Sequence, residues 1–229
     1  DGHISIEIGE REFDVRVATL PTYLGERVVL RLLDQSAVLS GIRDLGLDKH
    51  EEETLSRIID IPYGMVLVTG PTGSGKTTTL YATINRLKSE TISICTLEDP
   101  IEQTIAGVKQ VQIDEKSSLT FAEAIRSLLR QDPNVLVIGE VRDKESADSA
   151  VDAATTGHLV LATVHAGSAT AAITRLRDCG PCVTTDWKKF RGCGISATRA
   201  RSDSSGVARM RSATSFLFLC TMLLSASGA

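Results

Sequence analysis

Residues 1–177 of this 229-residue chain contain one cysteine, Cys95, and the whole chain has only six prolines and 4% aromatic residues. A single thiol excludes a disulfide framework over that part and favours a reducing compartment, for which the cytoplasm is the default. The longest apolar run, residues 216–224, is nine residues long, whereas a membrane-spanning helix needs roughly 20. The sequence therefore predicts no transmembrane segment.

Positive charge is scarce over most of the chain. Residues 1–177 hold 18 Lys and Arg against 26 Asp and Glu, a net charge of −8, whereas residues 178–229 hold 7 against 3. An acidic stretch of this kind lacks the basic surface of a nucleic-acid-binding protein, so we expect no nucleic-acid partner. Hydrophobic residues make up 42% of the chain, which is enough for a buried core.

Hydrophobic patterning divides the chain into four parts. Residues 1–40 alternate like paired strands and predict part of a small α+β domain, and residues 41–60 predict a linker and a helix. Residues 61–177 alternate continuous apolar runs with amphipathic helices, which is typical of a mostly parallel sheet covered on both faces. Residues 178–229 show no sustained period and predict irregular structure. The predicted fold class is therefore α/β.

Predicted elements follow this division. Helices are expected near 51–60, 76–89, 120–130, 145–154 and 168–177, and strands at 4–8, 13–17, 27–33, 65–68, 92–97, 108–113, 135–138 and 159–164. Asp48 stands where it can cap the first helix.

A glycine-rich loop separates the strand at 65–68 from the helix that follows. Residues 70–77 match the pattern G-x-x-x-x-G-K-[ST] at every position. Backbone N–H groups of such a loop and the helix N-terminus bind phosphate oxygens. Lys76 is expected to reach the β and γ phosphates of a bound nucleotide, and Thr77 to offer its hydroxyl to Mg²⁺. The predicted nucleotide-binding residues are Gly70, Pro71, Thr72, Gly73, Ser74, Gly75, Lys76, Thr77 and Thr78.

Acidic residues follow two of the buried strands. Glu140 comes after the apolar run 135–138, and a charge at the carboxyl end of such a strand reaches the ligand crevice of an open α/β sheet. Glu140 is therefore predicted to hold the magnesium shell or to orient water. Glu98 is a candidate to polarise the attacking water, and Asp99 to support it or the metal. The alternative is that these acids are simply solvated.

One histidine and two arginines complete the candidate site. His165 ends the strand 159–164 on the ligand side and could sense the γ phosphate, although a lone histidine is more often structural. Arg16 and Arg31 stand on strands of residues 1–40. They are either part of a solvated strand face or close over phosphate oxygens.

The motifs together resemble those of the secretion ATPase family, which includes type II secretion protein E and the type IV pilus assembly and retraction ATPases. The resemblance covers roughly residues 1–178. Residues 14–21 and 25–31 resemble the family's arginine-bearing stretch, and residues 96–102 its aspartate box. Residues 129–143 resemble its Walker B region, and residues 156–165 its histidine box.

This resemblance implies a RecA-like P-loop NTPase core with ATP and Mg²⁺ as ligands. It implies a cytoplasmic homo-hexamer, peripheral to the inner membrane, that contacts inner-membrane secretion or pilus platform proteins and drives filament extension or retraction. In the family, the counterparts of Arg16 and Arg31 approach the nucleotide. The counterpart of Glu98 is proposed as the general base, and that of Glu140 works with Mg²⁺ and water.

The resemblance stops near residue 178, and the chain is expected to be a truncated member of the family. The following residues, 179–182, read Cys-Gly-Pro-Cys without the strand and helix of a redox site, so chance is the favoured explanation. A frameshift or misjoined gene is our hypothesis for residues 178–229. Two other functions stay open: a remnant that binds ATP without turnover, and a RecA-like DNA-translocating motor.

Overall fold

The computed structural model describes residues 2–9, 11–34, 41–113, 120–166, 171–172, 174, 194–201 and 213–222. The chain forms two compact units, one of residues 1–38 and 102–104 and the other of residues 39–101 and 105–229. Within the described residues, no helix has the length and apolar character needed to cross a membrane. The predicted helix at 168–177 lies mostly outside the described residues.

The first unit is built on a three-stranded antiparallel sheet. Its strands are β1 (Gly2–Ile8), β2 (Arg11–Thr22) and β3 (Gly25–Asp34), in the order β1-β2-β3. Gly9 and Gly25 have φ values of 67° and 131°, which favour glycine, and they stand at the turns that join the strands. The three predicted strands are confirmed, and each is longer than the range predicted from its alternating pattern.

The second unit contains a five-stranded parallel sheet, as predicted. Its strands are β4 (Gly64–Thr69), β5 (Ile94–Glu98), β6 (Lys109–Gln112), β7 (Val135–Ile138) and β8 (Leu159–Val164). They lie in the order β6-β5-β7-β8-β4, so the strand that precedes the glycine-rich loop stands next to β8. A 3-10 turn at Ile42–Leu45 precedes the first helix of this unit.

Four helices accompany this sheet in the described residues. They are α1 (Lys49–Ile59), α2 (Lys76–Leu87), α3 (Phe121–Leu129) and α4 (Lys144–Thr155). Alternate strand residues point to opposite faces. Leu67 and Leu136 join one buried cluster with residues of α3 and α4, while Val66 and Val137 join another with residues of α1 and α2. The prediction of a sheet covered on both faces is confirmed.

The prediction of irregular structure for residues 178–229 is wrong in two places. Strands β9 (Gly194–Arg201) and β10 (Ala213–Met222) form an antiparallel pair, and β10 also pairs antiparallel with β4. The physical reason is that β4 has an open edge whose N–H and C=O groups accept another strand. β10 pairs with a strand about 150 residues earlier in the chain, so no local sequence pattern indicates the pairing. The other residues of this segment lie outside the described part.

Candidate active site

The glycine-rich loop joins β4 to α2. Gly73 and Gly75 have φ values of 75° and 90°, a region that a residue with a Cβ rarely enters. The Ser74 N–H donates to the Pro71 carbonyl at 3.3 Å, which tightens the loop into a turn. The loop therefore needs glycine at these two positions, and it leads directly into the first turn of α2.

Lys76 is the first residue of α2, and its side chain is folded back over the loop. Its ammonium group donates to the carbonyl oxygens of Gly70 and Pro71, each at 3.0 Å. The same Nζ lies 3.4 Å from Nδ1 of His165, which follows β8. Lys76 is only 9% exposed, so its charge is held at the loop and is not solvated.

Glu140, which follows β7, contacts the other side of the His165 ring. The Nε2 of His165 lies 3.5 Å from Oε1 of Glu140, so the imidazole stands between the ammonium of Lys76 and the carboxylate. Lys76, Glu140 and His165 come from the carboxyl ends of three strands or the loops that follow them, and parallel strands bring such ends to one edge. The structure thus brings together three residues that the sequence singled out separately.

Arg142 links two of the acidic residues. Its Nε donates to Oε2 of Glu140 at 2.8 Å, and one terminal nitrogen donates to Oδ2 of Asp99 at 3.0 Å. The hydrogen bond to Glu140 raises the pKa of Arg142 above its usual value, and the two carboxylates add to this effect. Arg142 stays charged, so it holds the two carboxylates close together despite their repulsion.

Gly139 allows β5 and β7 to approach each other at this edge. A Cβ placed on Gly139 would stand 3.2 Å from the Leu97 carbonyl oxygen and 3.3 Å from the Glu98 Cα. The Gly139 N–H donates to that carbonyl at 2.8 Å, and the Thr163 hydroxyl donates to the Gly139 carbonyl. Glycine is therefore required by close backbone approach, immediately before Glu140.

Glu98 has a different environment from Glu140. It is 4% exposed, and its carboxylate accepts hydrogen bonds from three neutral donors. Tyr81 donates to Oε2 at 2.5 Å, and Thr96 and Gln110 donate to Oε1 at 2.6 and 3.1 Å. This burial excludes the alternative that Glu98 is simply solvated at the end of its strand. Its role toward water stays a prediction.

The loop fits a phosphate-bearing ligand. The Ser74 hydroxyl is buried and, among the described residues, meets no hydrogen-bond partner. An orphaned buried donor of this kind is costly unless a ligand or water satisfies it. No group of three or more His, Cys, Asp or Glu within the described residues could hold a metal alone. Mg²⁺ bound together with a nucleotide usually takes one or two carboxylates and phosphate oxygens as ligands.

Arg16 and Arg31 lie in the first unit and are cross-strand partners of each other in the β2–β3 ladder. Their side chains therefore leave the same face of the sheet from opposed positions. Arg16 has a weak contact with Asp14 at 3.9 Å. Two like charges directly opposed repel each other, and Asp14 offers Arg16 a counter-charge on the same strand.

Sequence reasoning missed four residues of this site. Tyr81, Thr96 and Gln110 were given no role, and Arg142 was only part of a motif. A signal was present for Tyr81, because a tyrosine on the buried face of a helix needs a partner for its hydroxyl. The contact of Gln110 with Glu98 and that of Arg142 with Asp99 join strands that are separate in sequence, which patterning does not reveal. Thr96 stands two residues before Glu98 on the same strand, so its contact follows from alternation along that strand.

The sequence is similar to known proteins over most of its length. Residues 1–185 match the family described as "Type II/IV secretion system protein". The chain is 52% identical over 180 residues to type II secretion system protein E of Pseudomonas aeruginosa, which covers 79% of this chain and 36% of that protein. It is 51% identical, with the same coverage, to type II secretion system ATPase E of Vibrio cholerae. The chain thus spans about a third of these relatives.

Solved structures share the fold. The pilus retraction motor PilT with bound ADP superposes with a TM-score of 0.71 at 30% identity, covering 99% of this chain and 64% of that one. The Legionella pneumophila ATPase DotB gives a TM-score of 0.62 at 26% identity, covering 78% and 51%. These likenesses confirm the RecA-like P-loop core that the motifs implied. The chain belongs to the type II/IV secretion system protein family.

Proposed function

We propose that this chain binds and hydrolyses ATP with Mg²⁺, as the motor component of a type II secretion or type IV pilus system. The observation that carries the proposal is the contact series at the glycine-rich loop. The Lys76 ammonium lies 3.4 Å from His165, and His165 lies 3.5 Å from Glu140. An ammonium, an imidazole and a carboxylate thus lie beside the glycine-rich loop, and a lysine and a carboxylate are groups that phosphoryl transfer uses.

Each residue has a proposed part in hydrolysis. Lys76 leaves the loop carbonyls and binds the β and γ phosphates, and the Ser74 hydroxyl gains the partner it lacks. Thr77 and Glu140 would hold Mg²⁺, which supplies charge neutralisation to the phosphate oxygens when bound. Glu98 orients and polarises the attacking water, and His165 responds to the γ phosphate through its contacts with Lys76 and Glu140. Catalysis of this kind is mainly positioning and electrostatics.

Arg16 and Arg31 are proposed to contact ATP phosphates. Their opposed positions on β2 and β3 support this, because an anionic ligand would relieve the repulsion between the two guanidinium groups. Arginine also suits phosphate, since its planar fork can donate two hydrogen bonds at once. We expect the loss of either arginine to weaken ATP binding or turnover without unfolding the sheet.

The assembly and its place are likewise proposals. The family resemblance is the ground for proposing a cytoplasmic hexamer at the inner membrane, and relatives named type II secretion system protein E and a pilus retraction motor support a role in secretion or pilus movement. Platform proteins of the secretion or pilus apparatus would be its partners, and filament extension or retraction its output. The chain covers 36% of those relatives, so a chain that binds ATP without turnover is the competing function.

Mg-ATP binding and ATP turnover by the chain test the proposal. We expect Lys76→Ala to abolish binding. Glu140→Gln should retain binding and lower turnover by about 100-fold, because general acid–base and charge effects of this size are usual. Lys88→Ala, a matched change at an exposed lysine after α2, should alter neither.

Three results separate the functions. Turnover that is lost in both site variants supports the motor. Binding by the unsubstituted chain without any turnover supports the remnant. Turnover that rises with added DNA supports a DNA-translocating motor, which the net charge of −8 over residues 1–177 disfavours.

A further inference from the structure

The buried carboxylate of Glu98 is held by donors from three elements. Tyr81 belongs to α2, Thr96 to β5 itself, and Gln110 to β6. All three donors are neutral, and the shortest bond is the one from Tyr81, at 2.5 Å. A buried carboxylate needs such donors, because burial removes the water that would otherwise stabilise its charge. These residues therefore fix the direction in which the carboxylate points.

Tyr81 differs from the other two donors in the element that carries it. Thr96 stands two residues before Glu98 on the same strand and moves with it, and Gln110 forms the longest of the three bonds at 3.1 Å. Tyr81 lies five residues after Lys76 on the same helix. One rigid helix thus carries both the lysine at the phosphate loop and the hydroxyl that holds Glu98.

We propose that Tyr81 is a positioning residue: its hydroxyl sets the Glu98 carboxylate at a fixed place relative to the phosphates that bind at Lys76. The inference rests on the proposed function, in which Glu98 orients the attacking water. Tyr81 is 3% exposed, and its hydroxyl donates to Glu98. Its loss should therefore lower the rate of hydrolysis and leave nucleotide binding unchanged.

A tyrosine that only fills the core would behave differently. Its aromatic ring packs in the same buried cluster as Leu80 and Ile84, and phenylalanine keeps that packing. Tyr81→Phe therefore removes the hydroxyl alone. If the hydroxyl acts through Glu98, its removal should matter only while Glu98 is a carboxylate. This dependence is the property that a double-mutant cycle measures.

The test measures kcat and KM for ATP in Tyr81→Phe, Glu98→Gln and the double variant. We expect Tyr81→Phe to lower kcat by about tenfold with KM changed by less than about twofold, since only transition-state interactions are lost. In the Glu98→Gln background, Tyr81→Phe should have no further effect. Tyr63→Phe, the same change before β4, should leave kcat as it is.

The outcomes distinguish failure of the proposed ATPase function from failure of the proposed role of Tyr81. If the unsubstituted chain shows no turnover, the proposed function fails, and the inference fails with it. If the chain turns over ATP but Tyr81→Phe has normal kcat, or lowers it equally in both backgrounds, only the inference fails. Nucleotide binding by Tyr81→Phe reports its folding. A variant that does not fold also overturns the inference, because the hydroxyl then serves the core.

Discussion

At the scale of single residues, the site depends on backbone approach as much as on charge. Gly139 lets β7 end close enough to β5 for its N–H to reach the Leu97 carbonyl at 2.8 Å. Glu140 is the next residue, so the close approach at Gly139 also sets the position of the Glu140 backbone. Close backbone contact accounts for glycine at this position.

Gly139→Ala should therefore destabilise the chain and disturb Glu140. The new Cβ would meet backbone atoms at 3.2 and 3.3 Å, and backbone cannot rotate away as a flexible side chain can. We expect the free energy of unfolding to fall by about 1–3 kcal/mol, as for other overpacked sites. Urea denaturation measures the change.

Gly41→Ala is the matched control for this prediction. Nothing lies within 4 Å of a Cβ at that position, and its φ of 168° is extended backbone that any residue adopts. A similar loss of stability in both variants would contradict the explanation by close contact.

The sequence predicted the identity of most site residues at this scale, but not their surroundings. The pattern of residues 70–77 was sufficient to place Lys76, because its chemistry is local. The burial of Glu98 was not predictable, because its donors Tyr81 and Gln110 reach it from a helix and a strand distant in sequence. Arg142 was likewise missed, since its bridge to Asp99 spans 43 residues.

At the scale of elements, helix starts were well predicted because their signals are local. The Asp48 carboxylate accepts from the Glu51 N–H at 2.8 Å, and the Glu51 carboxylate accepts from the Asp48 N–H at 3.0 Å. Thr120 and Glu123 form the same reciprocal box at the start of α3. The strands of residues 61–177 were also placed correctly. β4, β5, β7 and β8 are buried throughout, as mainly apolar runs predict, and the exposed to half-buried β6 was predicted from its alternation.

Glu123 gives α3 a stability that depends on pH. The hydrogen bond from the Thr120 N–H lowers the pKa of Glu123 below its usual value. A lowered pKa means that the stabilisation is complete above the unfolded-state pKa and is lost as pH falls through the folded-state value. We expect Glu123→Gln to keep the cap and remove this dependence.

Thermal unfolding from pH 6 to pH 3 measures the effect. The difference in stability between the unsubstituted chain and Glu123→Gln should shrink as the pH decreases. Parallel curves for the two proteins over this range would contradict the assignment.

At the scale of the whole molecule, the segment beyond the family resemblance contributes to the sheet. β10 pairs with β4 over residues 218–222, on the side of β4 that does not face β8. Sequence patterning could not foresee this, because a strand that is added beside β4 depends on its partners and not only on its own period. The change in charge near residue 178 marks the end of the family pattern, but not the end of ordered structure.

Deleting residues 194–229 should expose the outer edge of β4. We expect a lower melting temperature, by about 2–4 °C for each kcal/mol lost, and self-association through the open edge. Calorimetry and size-exclusion chromatography measure the two effects. If the shortened chain is as stable and as monodisperse as the full one, the pairing of β10 with β4 does not contribute to the fold.

Hydrogen bonds hold the short connection between Glu140 and α4 in place. Asp143 caps α4 by accepting from the Ser146 N–H at 2.8 Å, and the Val141 N–H is fixed to the Thr163 carbonyl at 3.0 Å. The connection is thus held at both ends, by the cap of α4 and by a backbone hydrogen bond to β8. The helix has 12 residues, about 18 Å, and ends beside His158 at the opposite edge of the sheet. α4 is therefore one continuous element that joins the strand ends near Glu140 to the opposite edge of the sheet.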